Sequence, residues 1–96
     1  MKQIHLSAAS WDCPRAAHQA LKSALSFPDY YGHNLDALHD CLTELKDIEL
    51  IIEDIGVPAE KMPDKWPGFM TVFFLATQEN PHLNIEIISG QSDYGQ

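Results

Sequence analysis

Asp36, His39, Asp40 and Thr43 stand at i, i+3, i+4 and i+7, the spacing that gathers side chains along one side of an α-helix. Two carboxylates and an imidazole so placed could bind a metal, with His33 or His18 completing the set. Cys41 next to His39 and Asp40 could be half of a Cys-His nucleophile. The carboxylates could also make charge-assisted hydrogen bonds to the cationic side chains of a partner. The metal reading lacks any H-E-x-x-H pattern, and Cys41 borders an apolar stripe where a thiol is usually inert packing. No Gly-rich phosphate loop is present. Spacing alone is most simply satisfied by a solvated helix face whose early acids oppose the helix dipole. No catalytic residue, metal ligand or cofactor is assigned.

The elements that must carry these residues are legible in the chain. Leu35, Leu38, Leu42 and Leu45 recur at i, i+3, i+7 and i+10 on the other side of the same segment, with Asn34 as its N-cap. The prediction is an amphipathic helix with a core face and a polar ridge. Before it, residues 27–33 hold turn formers and three aromatics without a period, an ordered loop in which Tyr31 is the more structural ring. Residues 3–7 alternate as a strand. In the stretch Asp12-Cys13-Pro14, Asp12 is expected to cap a helix whose apolar positions are Ala17, Leu21, Ala24 and Leu25. Residues 48–54 read as the central strand of a sheet, buried on both faces. Residues 55–66 allow a short helix, Trp66-Pro67 opens a longer one that ends at Asn80-Pro81, and residues 83–88 form a last strand.

The order strand, helix, helix, strand, short helix, helix, strand predicts an α/β domain, a small three-stranded parallel sheet with helices packed on it. With 96 residues there is room for one core, here residues 1–89, followed by a polar tail over 90–96. The longest apolar runs fall well short of the roughly 20 residues that cross a bilayer, and the first residues lack a signal peptide's apolar stretch. The expectation is a cytoplasmic protein with no membrane contact. Cys13 and Cys41 then read as free, partly buried thiols that act as small apolar residues. Fourteen Asp and Glu against six Lys and Arg give a net charge of −8, which repels nucleic acid and suits a basic protein partner.

Residues 24–45 carry a sharper signal. Leu25, then Pro28-Asp29-Tyr30-Tyr31-Gly32, then Asn34-Leu35-Asp36-Ala37-Leu38 and Asp40-Cys41-Leu42-Thr43 closely resemble the barstar family of intracellular ribonuclease inhibitors. Val72-Phe73 and the Ile-rich last strand echo it further along. The resemblance implies that the loop and second helix enter a ribonuclease's substrate cleft, with contacts from Tyr30, Asn34, Leu35, Asp36, Asp40 and Thr43, and with Asp40 as anchor. A ribonuclease holds phosphate with cationic side chains, so a carboxylate on a rigid helix can occupy that place.

Three departures from the family prototype stand out. His39 replaces a tryptophan on the contact helix, Glu44-Leu45 replaces Gly-Trp, and Leu75 occupies the place of an acidic contact on the last long helix. His39 and Glu44 therefore join the expected partner-binding set with altered chemistry. The expected partner is a basic extracellular-type ribonuclease or ribonuclease-like toxin domain, bound one to one by a chain that is a monomer when free. The alternative is an immunity or binding module on the same fold for a different basic protein.

Overall fold

A computed structural model of the protein describes residues 2–88; the polar tail expected over 90–96 lies outside them. The chain runs β1 (Lys2–Ser7), α1 (Pro14–Leu25), α2 (Leu35–Thr43), β2 (Ile48–Glu53), α3 (Gly56–Lys61), α4 (Trp66–Glu79) and β3 (Leu83–Ile87). The three strands form one sheet in the order β1-β2-β3, with both pairings parallel. This is the expected α/β architecture, with β2 in the middle.

Register shows where the core lies. Ile4, Leu50 and Ile85 are aligned across the sheet, as are Leu6, Ile52 and Ile87. Side chains alternate along a strand, so these rows share one face, on which Leu50 and Ile52 are fully buried. The alternate rows, Gln3-Glu49-Asn84 and His5-Ile51-Glu86, make the opposite face polar. Gln3 Nε2 donates to Glu49 Oε1 at 3.0 Å and His5 lies 3.6 Å from Glu53 Oε2. The expectation that β2 is buried on both faces holds at its middle, where Leu50, Ile51 and Ile52 are all buried, while Glu49 and Glu53 on the polar side are only partly so. Ile51 is buried on the polar side, but it is flanked there by polar side chains rather than covered by a helical layer.

The core between the sheet and the helices contains Leu21 of α1, Leu38 and Leu42 of α2, Phe69 and Ala76 of α4, and Trp11 from the β1–α1 connection. α4 buries Trp66, Phe69, Val72, Phe73 and Ala76, a stripe at helical spacing. Trp66 stacks on Phe69 at 5.7 Å and meets Trp11 edge-on at 6.1 Å.

α1 begins one residue later than a cap at Asp12 would require. Cys13 is the N-cap, extended at φ −151, with no side-chain cap bond, and Pro14 follows inside the first turn. The proline presets the helical φ, which leaves Asp12 upstream of the capping position. Cys13 is accordingly exposed, contrary to its expected partial burial, whereas Cys41 is partly buried. α1 ends at Ser26, which adopts the left-handed conformation at φ 57, and its N–H bonds the carbonyl of Lys22.

Candidate functional site: the acidic ridge of α2

The loop before α2 is held from beneath. Phe27 and Tyr31 are buried, and the Tyr31 N–H closes a turn onto the Pro28 carbonyl at 2.9 Å. The Tyr31 hydroxyl lies 2.6 Å from Nδ1 of the buried His18 on α1. Burial, with the Cys41 thiol nearby, raises the Tyr31 phenol above its usual range. Burial first, and then the neighbouring His33, lowers His18 to about 4. Near neutral pH the pair is therefore a neutral phenol and a neutral imidazole sharing one hydrogen bond, its direction set by the imidazole tautomer. Tyr31 is the structural ring, as expected, and its fixed position leaves Tyr30 projecting into solvent at 88% exposure.

Asn34 starts α2. Its Oδ1 accepts the Ala37 N–H at 2.8 Å, and its Nδ2 donates to the Gly32 carbonyl at 3.2 Å. This fold-back explains Gly32, where an added Cβ would meet Asn34 Nδ2 at 2.9 Å. Both ends of the Asn34 amide are occupied, so it sets the pitch of the loop against the helix. Leu35 is partly buried and lies over Gly68 of α4, where an added Cβ would stand only 2.8 Å from its Cδ1. Glycine at that position lets the two helices approach.

Leu38 and Leu42 are buried, which turns Asp36, His39, Asp40 and Thr43 outward on a common face. Asp36 and Asp40 are exposed, while His39 and Thr43 are partly covered. Thr43 Oγ1 donates to the Asp40 carbonyl at 2.9 Å, so the threonine is tied to the ridge. Glu44, exposed, is the C-cap residue. Asp36 in the first turn is favoured by the helix dipole, whereas Asp40 and Glu44 stand at the opposite end with no basic residue in the last turn, where the dipole adds to their negative potential.

The end of α4 adjoins this face. Asn80 is buried, and its Nδ2 donates to the carbonyls of Leu42 at 3.0 Å and Leu45 at 2.8 Å, satisfying acceptors left open at the C-terminus of α2. Its Oδ1 accepts the His82 N–H at 3.0 Å. One side chain thus joins the ends of α2 and α4 to the start of β3. Beside it, His39 Nε2 lies 3.1 Å from Glu79 Oε1, and His39 Nδ1 lies 4.0 Å from Asp40 Oδ1. The first is an ion-pair distance, with charge on both partners only when the imidazole is protonated; the second is too long for a hydrogen bond.

The structure brings Asp36, His39, Asp40, Thr43 and Glu44 together on α2, projects Tyr30 from the preceding loop, and places Asn34 and Leu35 at the base of the helix. Sequence reasoning missed Glu79, whose link to His39 joins residues 40 positions apart and leaves no local trace; Leu75, the position the family comparison singled out, is 42% exposed. Among the described residues no group of three His, Cys, Asp or Glu side chains is gathered to hold a metal ion. Burial, helped by the carboxylates of Glu44 and Asp40, pushes the Cys41 thiol up, which disfavours the thiolate a nucleophile needs. A depression of about 510 Å³ lined by Gln19, Lys22, Ser23, Ser26, Phe27 and His33 does not include the acids of α2. The α2 face is a ridge, a shape suited to entering a cleft.

Residues 1–88 match the family described as Barstar (barnase inhibitor), and the chain belongs to that family. Over 52 residues it is 44% identical to the Bacillus subtilis (strain 168) protein named "Putative ribonuclease inhibitor YrdF". That match covers 54% of this chain and 57% of the relative. No helix among the described residues is long and apolar enough to cross a membrane.

Proposed function

We propose that this chain is an intracellular, non-enzymatic inhibitor of a basic microbial ribonuclease or ribonuclease-like toxin domain, blocking the active site one to one with α2 and the loop before it. The observation that carries the reading is the acidic ridge itself: Asp40 keeps 83% of its side chain in solvent on a helix fixed by its packing and by Asn80. A carboxylate on a backbone held this way reaches the cationic phosphate site of a nuclease without first losing backbone freedom. Asp40 is the anchor and Asp36 the second acid. Tyr30, Leu35, His39, Thr43 and Glu44 surround them, and Asn34 sets the loop. The complex is expected to bury about 1,600 Å² in total, and the free protein to be a cytoplasmic monomer.

The test is inhibition of a purified guanyl-preferring microbial ribonuclease, titrated with wild type, Asp40→Ala and Glu60→Ala at low and high salt. Stoichiometric inhibition that weakens with salt is expected, because screening slows the association of opposite charges. Asp40→Ala should weaken it by at least about 30-fold, the effect of a central anchor, and Glu60→Ala on α3 by less than about twofold. Equal losses at the two positions would remove the anchoring role.

A second reading, a binding module for a different basic protein, is favoured by one observation. His39, where the prototype has tryptophan, lies 3.1 Å from Glu79, so the surface offers an acid-imidazole pair where an aromatic anchor would sit. Capture of a partner that lacks ribonuclease activity, lost in Asp40→Ala, would support it.

A further inference from the structure

Acidic residues run through most of this chain but are missing from one stretch. Residues 13–28 contain no Asp or Glu, although the sequence holds 14. The stretch is α1 with its flanks, and it carries Arg15 and Lys22, two of the six Lys and Arg residues. Seven positions apart, these two stand about 10 Å from each other along the helix axis and close to one face. Neither has an ion-pair partner among the described residues.

Both cations line concave surface. The depression of about 510 Å³ that includes Lys22 is joined by one of about 310 Å³ lined by Arg15, Gln19 and His33. Gln19 and His33 line both, so the two form one groove, with α1 as one wall and the loop before α2 as the other. The loop wall is fixed: Tyr31 is tied to His18, and the His33 ring packs against those of Tyr31 at 5.2 Å and His18 at 6.1 Å. His33 Nδ1 lies 3.2 Å from the Tyr31 carbonyl, a contact in which only the nitrogen can donate, and this leaves Nε2 as the ring's atom for a further partner. Arg15, Lys22, Gln19, Ser23 and Ser26 all supply donors, and no carboxylate lines the groove.

We propose that this groove is an anion site for a small ligand with linked phosphates, one end on the Arg15 guanidinium and the other on the Lys22 ammonium, with Gln19, Ser23 and His33 along the middle. A phosphate chain reaches both cations at once and brings acceptors for the arginine fork as well as for the ammonium, whereas a lone carboxylate is satisfied by the arginine alone. The net charge of −8 repels a long polyanion such as RNA, which favours a small ligand. The acids of α2 do not line the groove, so the site is separate from the proposed ribonuclease contact and does not depend on it.

The experiment is calorimetric titration of the full chain with tripolyphosphate, ATP, orthophosphate and a short single-stranded RNA at low salt. Tripolyphosphate should bind one to one, and orthophosphate, which reaches one end only, at least about tenfold more weakly. Tighter binding of ATP than of tripolyphosphate would make a nucleotide the source of the phosphates, and parity an inorganic chain. Arg15→Gln and Lys22→Gln should each weaken tripolyphosphate binding about tenfold, and together abolish it. His33→Asn, which keeps a residue that tolerates the left-handed backbone at φ 54, should weaken it about threefold. Lys61→Gln/Lys65→Gln removes the same charge from exposed positions outside the groove and should change affinity by less than about twofold. Both double variants should unfold in urea close to wild type.

Equal losses in the two double variants would reduce the binding to general attraction between opposite charges and overturn the site. Orthophosphate binding as tightly as tripolyphosphate would overturn the two-ended arrangement, and RNA binding more tightly than tripolyphosphate would overturn the small ligand. Absence of tripolyphosphate binding to wild type at low salt would refute the proposal outright, leaving the inhibitor reading untouched.

Discussion

Acidification should loosen this protein through one histidine. His18 is 3% exposed; its ring lies 4.9 Å from that of Phe69, and its Nδ1 shares a hydrogen bond with the Tyr31 hydroxyl. Burial and His33 lower its pKa from 6.5 to about 4, so the folded state binds this proton less readily than the unfolded chain. The contribution is therefore complete above about pH 6.5, declines as pH falls through the window from 6.5 to about 4, and is lost below it. The full loss is about 3 kcal/mol and the part reached by pH 5 about 2 kcal/mol, from 1.36 kcal/mol per unit. For a domain with a stability of about 5–15 kcal/mol this is a substantial fraction.

The assay is urea unfolding of wild type and His18→Gln at about pH 7.5 and pH 5. His5, His33, His39 and His82 are common to both proteins, so the difference between their pH dependences isolates His18. Wild type should lose about 2 kcal/mol more than the variant over that interval. Equal pH dependences, or a His18 ring proton that titrates by NMR near 6.5 in the folded protein, would refute the argument. Because Tyr31 supports the loop that carries Tyr30, association with a partner should also slow over the same window.

Asn80→Ala strips a donor from two carbonyls at the end of α2 and should cost about 2–3 kcal/mol by urea unfolding, more than Asn84→Ala, whose amide makes one long exposed bond at 3.4 Å. Trp11 is fully buried, yet its indole Nε1–H has no acceptor among the described residues. Trp11→Phe removes that orphan donor while leaving an aromatic ring, so its net cost should stay below about 1 kcal/mol, and a loss above about 3 kcal/mol would mean that the N–H has a partner. Gly32→Ala brings a methyl within 2.9 Å of Asn34 Nδ2, so it should disturb the cap and weaken partner binding more than it lowers the unfolding midpoint.

What sequence disclosed here was mostly local. The opening of α4 at Trp66-Pro67 and its end at Asn80 follow from rules that act within one turn, and so does the division of α2 into a leucine face and an acidic face. The Tyr30/Tyr31 contrast was also anticipated, because a ring next to a glycine turn and a helix cap has little choice but to pack. What escaped depends on register or on contacts across the fold. Ile48 to Ile52 reads as a strand buried on both sides, and its middle is; that the neighbours of Ile51 on the second side are His5 and Glu86 is seen only in the pairing. Asp12 failed as a cap by one residue, a shift imposed by Pro14. The contacts of His18 with Tyr31, of His39 with Glu79 and of Asn80 with Leu42 and Leu45 join segments far apart in the chain, and no periodicity encodes them.

The bare polar face of the sheet gives the molecule a side with no part in either the packed interior or the proposed contact. Gln3, Glu49, Asn84 and Glu86 project there, away from the layer that contains α2. A fluorophore or surface linker attached through Asn84→Cys would therefore leave the ridge unobstructed, and sequence change on that side can tune solubility while the opposite side answers to a partner. Two selections can act on this small chain with little interference, because three strands and one sided packing keep their targets on opposite surfaces.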